Sequence, residues 1–467
     1  MLFNSFEFAL FFPIVTFIYF SLSGTARIYW LLAASLLFYS VFIPAYTLIL
    51  LVMILIDYSA GILLAGTGSI TRRRLYLTLS LASNLGILCT FKYFNFANDN
   101  LAALFHSTPW LLKWALPVGL SFHTFQSLAY TIEVYRRRYP AERSLPHLAL
   151  FVMFYPQLVA GPIERPSNLL RQLHIEQRFS FERFRSGLQL MLWGLFKKAA
   201  IADRLSFISD AVFTSYAEAP LTVRGPLVAI GAFCFAVQIY CDFSGYSDIA
   251  IGAARVMGFS ITTNFRRPYF AISFQDFWRR WHISLSTWFR DYLYIPLGGR
   301  RRFVLAIGAV FLLSGLWHGA NWTFIVWGGL HAMFLLGDRA LSRLPRIAHG
   351  LAVFALTTYA WIFFRAASVG VALSMTAALG HGWMSLAHPV AFLEQIMAQF
   401  GGEWNYLYGA AGVVILLAVD WGLERNWLRP WFEARPAWQR LIAYNAAVLG
   451  LYAMWARDQQ PFLYFQF

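Results

Sequence analysis

WRRWHISLSTWFRDYLYIPLGGRRR, residues 278–302, runs directly into FVLAIGAVFLLSGLWHGANWTFIVWGGLHAMFLL, residues 303–336. The second stretch has 34 residues and no Lys, Arg, Asp or Glu. At 1.5 Å per residue it would make about 51 Å of helix, well beyond one hydrocarbon layer of about 30 Å. It reads as two membrane spans, or as one span and a re-entrant piece. The first stretch is too basic to cross a bilayer and too aromatic to leave one. Each stretch contains a histidine in its interior, His282 and His318.

The rest of the chain agrees with a membrane protein. Of 467 residues, 59% are hydrophobic and 13% charged, where a soluble domain carries about a quarter charged residues. Aromatic residues make up 18%, with 18 Trp and 23 Tyr, the side chains that settle at bilayer interfaces. The net charge of +15 is read as cytoplasmic loops rich in Lys and Arg rather than as nucleic-acid binding. Cys89, Cys234 and Cys241 lie in or beside apolar runs without paired spacing, so neither a disulfide framework nor a zinc site is indicated. The first residues, MLFNSFEFALFFPIVTFIYF, lack a basic leader segment and are expected to form a retained span.

Eleven to thirteen membrane segments are expected, re-entrant pieces included, in a single all-α polytopic domain over residues 1–467. Its parts would be N-terminal spans in 1–135, a core with Arg-rich cytosolic and interfacial segments in 136–302, and the His318 segment with the last spans in 303–467. The clusters Arg72–Arg74 and Arg136–Arg138 lie two spans apart with a loop free of basic residues between them. That pattern puts both clusters, residues 136–204 and residues 264–302 in the cytosol and the N-terminus outside. LPHLALFVMFYPQLVAGPIERP is apolar but broken by Pro146, Pro156, Gly161 and Pro162. Such a piece is expected to be buried in protein or to line a cavity.

On a helical period, residues 277–292 form an amphipathic interfacial helix. Phe277, Trp281, Trp288 and Tyr292 make one stripe, and Trp278, His282, Leu285 and Phe289 the next. His282 then points into the protein, either as an incidental buried residue of an anchor helix or as a working group. Eight arginines lie between Asn264 and Arg302 against Asp276 and Asp291. Such a mouth, with Arg279 and Arg280 at its centre, would attract the phosphates of a coenzyme.

His318 lies 15 residues beyond Phe303, about 22 Å along a helix, and so within the hydrocarbon layer. Ionisable groups there are costly and are functional candidates by default. Gly315, Gly319 and Ala320 would let a substrate or a helix approach closely, with Trp317, Asn321 and Trp322 as walls and polar support. A histidine in apolar surroundings stays neutral, the form a general base needs. The alternative is a packing histidine held by one interhelical hydrogen bond. In QIYCDFSGYSDIAIGAARVMGF, Asp242 and Asp248 either line a passage or tie a broken helix to the arginines of residues 264–302. The second reading is preferred.

The segments GLSFHTFQSLAYTIEVYRR, FYPQLVAGPIERP, QIYCDFSGYSDIAIG, NFRRPYFAISFQDFWRRWHISLSTWFRDYLYIPLGG, SGLWHGANWTFIVWGGLHA and PFLYFQF together resemble the membrane-bound O-acyltransferase family, in its bacterial alginate O-acetylase branch. The resemblance implies a ring of helices around a tunnel joining a cytosolic donor to an acceptor from the far side. It implies catalytic roles for His318, in LWHGANW, and for His282, in RWHISL. His318 would be the general base, and His282 would position the thioester or form tunnel wall. By spacing, Asn321 lies three residues beyond His318, one helical turn if the helix continues through Gly319, and would donate to the oxyanion. No bound cofactor or metal is expected, with acetyl-CoA as the acetyl donor.

The acceptor would be an exported polysaccharide such as alginate or cellulose, or a periplasmic acetyl-accepting transferase, within a polysaccharide synthesis and export complex in the bacterial inner membrane. D-alanyl transfer to a cell-wall polymer is the nearest alternative. A glycan or lipid transporter without chemistry, a structural subunit, and a covalent acetyl carrier at Cys241 complete the set.

Overall fold

A computed structural model describes residues 1–467 except 160, 219–224, 389, 391, 393, 395–402, 457–459 and 464–467. The described residues are helical, without strands. Seven helices are long and apolar enough to cross a membrane, among them Pro44–Ala65, Gly225–Val256, Trp322–Leu341 and Arg346–Arg365. Phe6–Ser21 and Val369–Ala378 are apolar but shorter. Many large apolar side chains on these spans face outward, Val304 at 67% and Leu351 at 63% exposure among them, as a lipid-facing surface requires.

The chain packs as two units. One comprises Met1–Met191 with Tyr246–Thr263, the other Leu192–Gly245 with Asn264–Phe467. In the first, the helices Pro44–Ala65, Ile70–Leu88 and Leu120–Tyr135 pack on one another. Asp57 is buried among them, where one carboxylate oxygen accepts from Ser80 Oγ at 2.7 Å, Asn84 Nδ2 at 2.9 Å and Thr131 Oγ1 at 3.2 Å. Those donors offset the cost of a carboxylate inside a span. Arg73 donates to Leu64 O, Val134 O and Tyr135 O. It thereby caps the carbonyl ends of two helices, where a cation is favoured.

The broken apolar piece behaves as its prolines require. The helix Leu145–Met153 stops, Phe154 turns, and Tyr155–Leu158 follows as a single turn. Every residue from Leu148 to Val159 is buried.

In the second unit, the uncharged run divides into Phe303–His318 and Trp322–Leu341. Gly319 is extended, with φ −162° and ψ 151°, so the first helix ends at His318. The two helices pack closely because Gly315 and Gly328 carry no side chain. A Cβ at Gly315 would strike Phe324 O, and one at Gly328 would strike Phe311 O. The small residues beside His318 thus serve the approach of the next helix. Arg346–Arg365 then packs on Trp322–Leu341.

Gly225–Val256 is one continuous helix of 32 residues, not a broken one. Asp242 on it pairs with Lys198 rather than with the arginines of residues 264–302. For Asp242 that preference from the sequence is corrected: Lys198 also reaches Asp203, and both ion pairs are 2.7 Å long and buried. A buried carboxylate takes the cation that can be desolvated beside it.

Candidate active site

The interfacial helix expected over residues 277–292 is interrupted at His282. Phe274–Arg280 and Ile283–Phe289 are separate helices, and His282 between them has a left-handed backbone, φ 43° and ψ 54°. The sequence around Asn264 makes this break possible. Ile283 N donates to Asn264 O at 2.9 Å, Ser284 Oγ to Asn264 Oδ1 at 3.0 Å, and Arg266 N to Arg280 O at 2.9 Å. The peptide groups freed by the break are therefore satisfied by another segment. A left-handed non-glycine residue costs about 1–2 kcal/mol. Such strain is typical of a working site.

The break turns the His282 ring inward. His282 is 1% exposed and His318 4%, and their ring centroids lie 6.3 Å apart. Trp317 touches both rings, at 5.9 Å and 5.0 Å. Phe243 stands edge-on to His282 at 4.7 Å, and Trp327 and Phe364 stand edge-on to His318 at 5.2 Å and 5.4 Å. Burial pushes the His282 imidazole down from 6.5 to about 3, so it is neutral across the physiological range. His318 is the last residue of its helix. The carbonyl end of that helix favours a transient positive charge on the ring, by up to about 2 kcal/mol in partly buried geometries.

The structure brings together the rings of His282, His318 and Trp317. Asn321 does not lie one helical turn beyond His318, because Gly319 ends the helix. Its Oδ1 caps Trp322–Leu341 by accepting from Thr323 N at 3.1 Å, and its Nδ2 donates to Ala367 O at 3.4 Å. These contacts tie the amide to the fold, and the helical turn expected to carry it past the His318 ring is absent. Arg280 is tied to Asp276 at 2.9 Å and to Glu424 at 2.8 Å. Arg279 on the same short helix is exposed.

Sequence reasoning missed Lys198, which pairs with Asp203 and with Asp242, one residue before Phe243. The signal was present: LFKKAAIA sets two lysines, Lys197 and Lys198, in an apolar segment, where a charge needs a partner.

Paired histidines in an aromatic shell, one of them at the end of an uncharged span, can supply a general base within a membrane protein without a nucleophilic side chain. Residues 68–379 match the family model of the membrane-bound O-acyltransferases, and the chain belongs to that family. It is 36% identical to a probable alginate O-acetylase of Pseudomonas putida, over 98% of both chains. It is 36% identical to a peptidoglycan O-acetyltransferase of Helicobacter pylori, over 77% of this chain and 75% of that one. A teichoic acid D-alanyltransferase of Bacillus subtilis is 27% identical over 47% of this chain and 58% of its own. The protein is thus a multi-pass membrane acyltransferase of the alginate O-acetylase-like branch.

Proposed function

We propose that the protein moves an acetyl group from cytosolic acetyl-CoA to a hydroxyl of an exported polysaccharide, such as alginate or cellulose, directly or through a periplasmic acetyl-accepting transferase. The observation that carries this reading is the buried pair His282 and His318, 6.3 Å apart between ring centroids. A hydroxyl needs a base as it attacks a thioester, and a neutral imidazole is that base. The His318 ring takes the hydroxyl proton while the oxygen bonds to the thioester carbonyl carbon. The C–S bond then breaks, and the departing thiolate takes the proton from the imidazolium. His282, on the donor side, positions the thioester. Arg279, exposed three residues before it in the sequence, meets the phosphates of the coenzyme.

The full-length similarity to a probable alginate O-acetylase supports acetyl over D-alanyl as the group carried. The same reading puts the protein in the bacterial inner membrane with its N-terminus in the periplasm and a polysaccharide synthesis and export complex around it. The test is labelled acetyl-CoA given to the purified protein in detergent, with alginate, cellulose and peptidoglycan oligosaccharides as acceptors. Label in an oligosaccharide that depends on His318 supports the proposal. An intact thioester in the presence of every acceptor and of the periplasmic transferase contradicts it.

A further inference from the structure

We propose that residues 460–463 are a strap that positions His282, with Phe462 as its working side chain. The inference rests on the reading of His282 as part of the site.

Lys198 and Asp242 form a buried ion pair of 2.7 Å, and each partner also grips the strap. Lys198 Nζ donates to Gln460 O at 3.0 Å, and Asp242 Oδ2 accepts from Leu463 N at 2.8 Å. The carbonyl before Phe462 meets the cation and the N–H after it meets the anion. The polarity of the backbone thus matches the polarity of the pair, and Pro461 stiffens the chain between the two anchors. Phe462, 0% exposed, is held between these points. Its ring lies 5.8 Å from that of Phe243, and Phe243 lies 4.7 Å from His282.

Lys198, Asp242, Phe243, Phe462 and His282 therefore make one continuous set of contacts from a charged anchor to the imidazole. A Cβ at Gly245 would meet Gly194 O at 2.7 Å, so Gly245 keeps the helix carrying Phe243 close to residues 194–198. An ordinary core phenylalanine does not require a buried ion pair on both sides of its own backbone. That arrangement fixes the ring's position as well as its burial. Shortening Phe462 leaves room for Phe243 to swing away from His282, and a small misplacement at a reacting centre is expensive.

The test is a double-mutant cycle on turnover of labelled acetyl-CoA by the full-length protein, with melting temperature measured for each variant. H282N keeps a residue that tolerates the left-handed backbone. F462A is expected to lower kcat about tenfold, F462L to restore most of it by refilling the volume, and F462A to add nothing in the H282N background. If F462A does not fold, F462M takes its place in the cycle. Full activity of F462A overturns the strap. So do losses that multiply in the double variant when H282N alone is impaired, since Phe462 then acts independently of His282. Full activity of H282N overturns the catalytic reading of His282 itself, and the strap with it.

Discussion

His318 ends its helix 6.3 Å from the ring of His282, which holds a left-handed backbone to face it. Two elements of opposite character, an uncharged span and a basic interfacial segment, deliver one imidazole each to the same aromatic shell. Each delivery depends on ending a helix: Gly319 ends one at His318, and Arg266 N donates to the Arg280 carbonyl at the end of another before His282.

The role of Asn321 separates a cap from an oxyanion donor. Asp is as good a cap as Asn but offers no amide donor. N321D should therefore keep both its melting temperature and most of its acetyl transfer. N321A should lose about 1 kcal/mol of stability. Loss of an oxyanion donor would instead cost about 10²–10³ in kcat, and such a loss in N321D would assign that role to the amide.

Burial of His282 has a pH signature. Its folded pKa, about 3, lies below the unfolded value of 6.5, so the unfolded chain takes up the proton first. The stabilising neutral form is fully effective above about pH 6.5, and its contribution falls as pH drops from there towards 3. Within that window the wild-type protein should lose about 1.4 kcal/mol per pH unit more than H282N. Melting curves from pH 7 to pH 4.5 measure the difference. Parallel curves for the two proteins would show that the ring is hydrated.

The Lys198 anchor predicts an order of stabilities. K198M leaves Asp203 and Asp242 buried without their cation, and removing one partner of a buried pair costs about 3–5 kcal/mol. D242N leaves the Lys198–Asp203 pair intact, and an asparagine oxygen still accepts from Leu463 N. Thermal melts in one detergent should rank wild type, D242N and K198M in falling order. A D242N protein less stable than K198M would contradict the arrangement.

How much of this was legible in the sequence depended on whether the partners were local. The division of residues 303–336 into two pieces followed from length, and the choice of His318 as a candidate followed from the cost of an ionisable group in a span. The inward direction of His282 was legible from periodicity. The break beside it was not, because the groups that satisfy it come from Asn264 and Arg266. Periodicity alone prolonged one helix through Trp281. The Lys198 triad escaped notice for the same reason, since Asp242 and Gln460 reach Lys198 only through the tertiary fold. The helical turn expected between His318 and Asn321 was counted along a helix that Gly319 ends.

The most direct test of the account is the rate at which purified H318A transfers label from acetyl-CoA to its acceptor, beside wild type at equal protein level and with melting temperatures compared. Removal of a general base predicts a loss of at least about a hundredfold, with the melting temperature close to wild type. An H318A protein that folds and transfers acetyl at the wild-type rate would contradict the claim that this imidazole takes the proton from the acceptor.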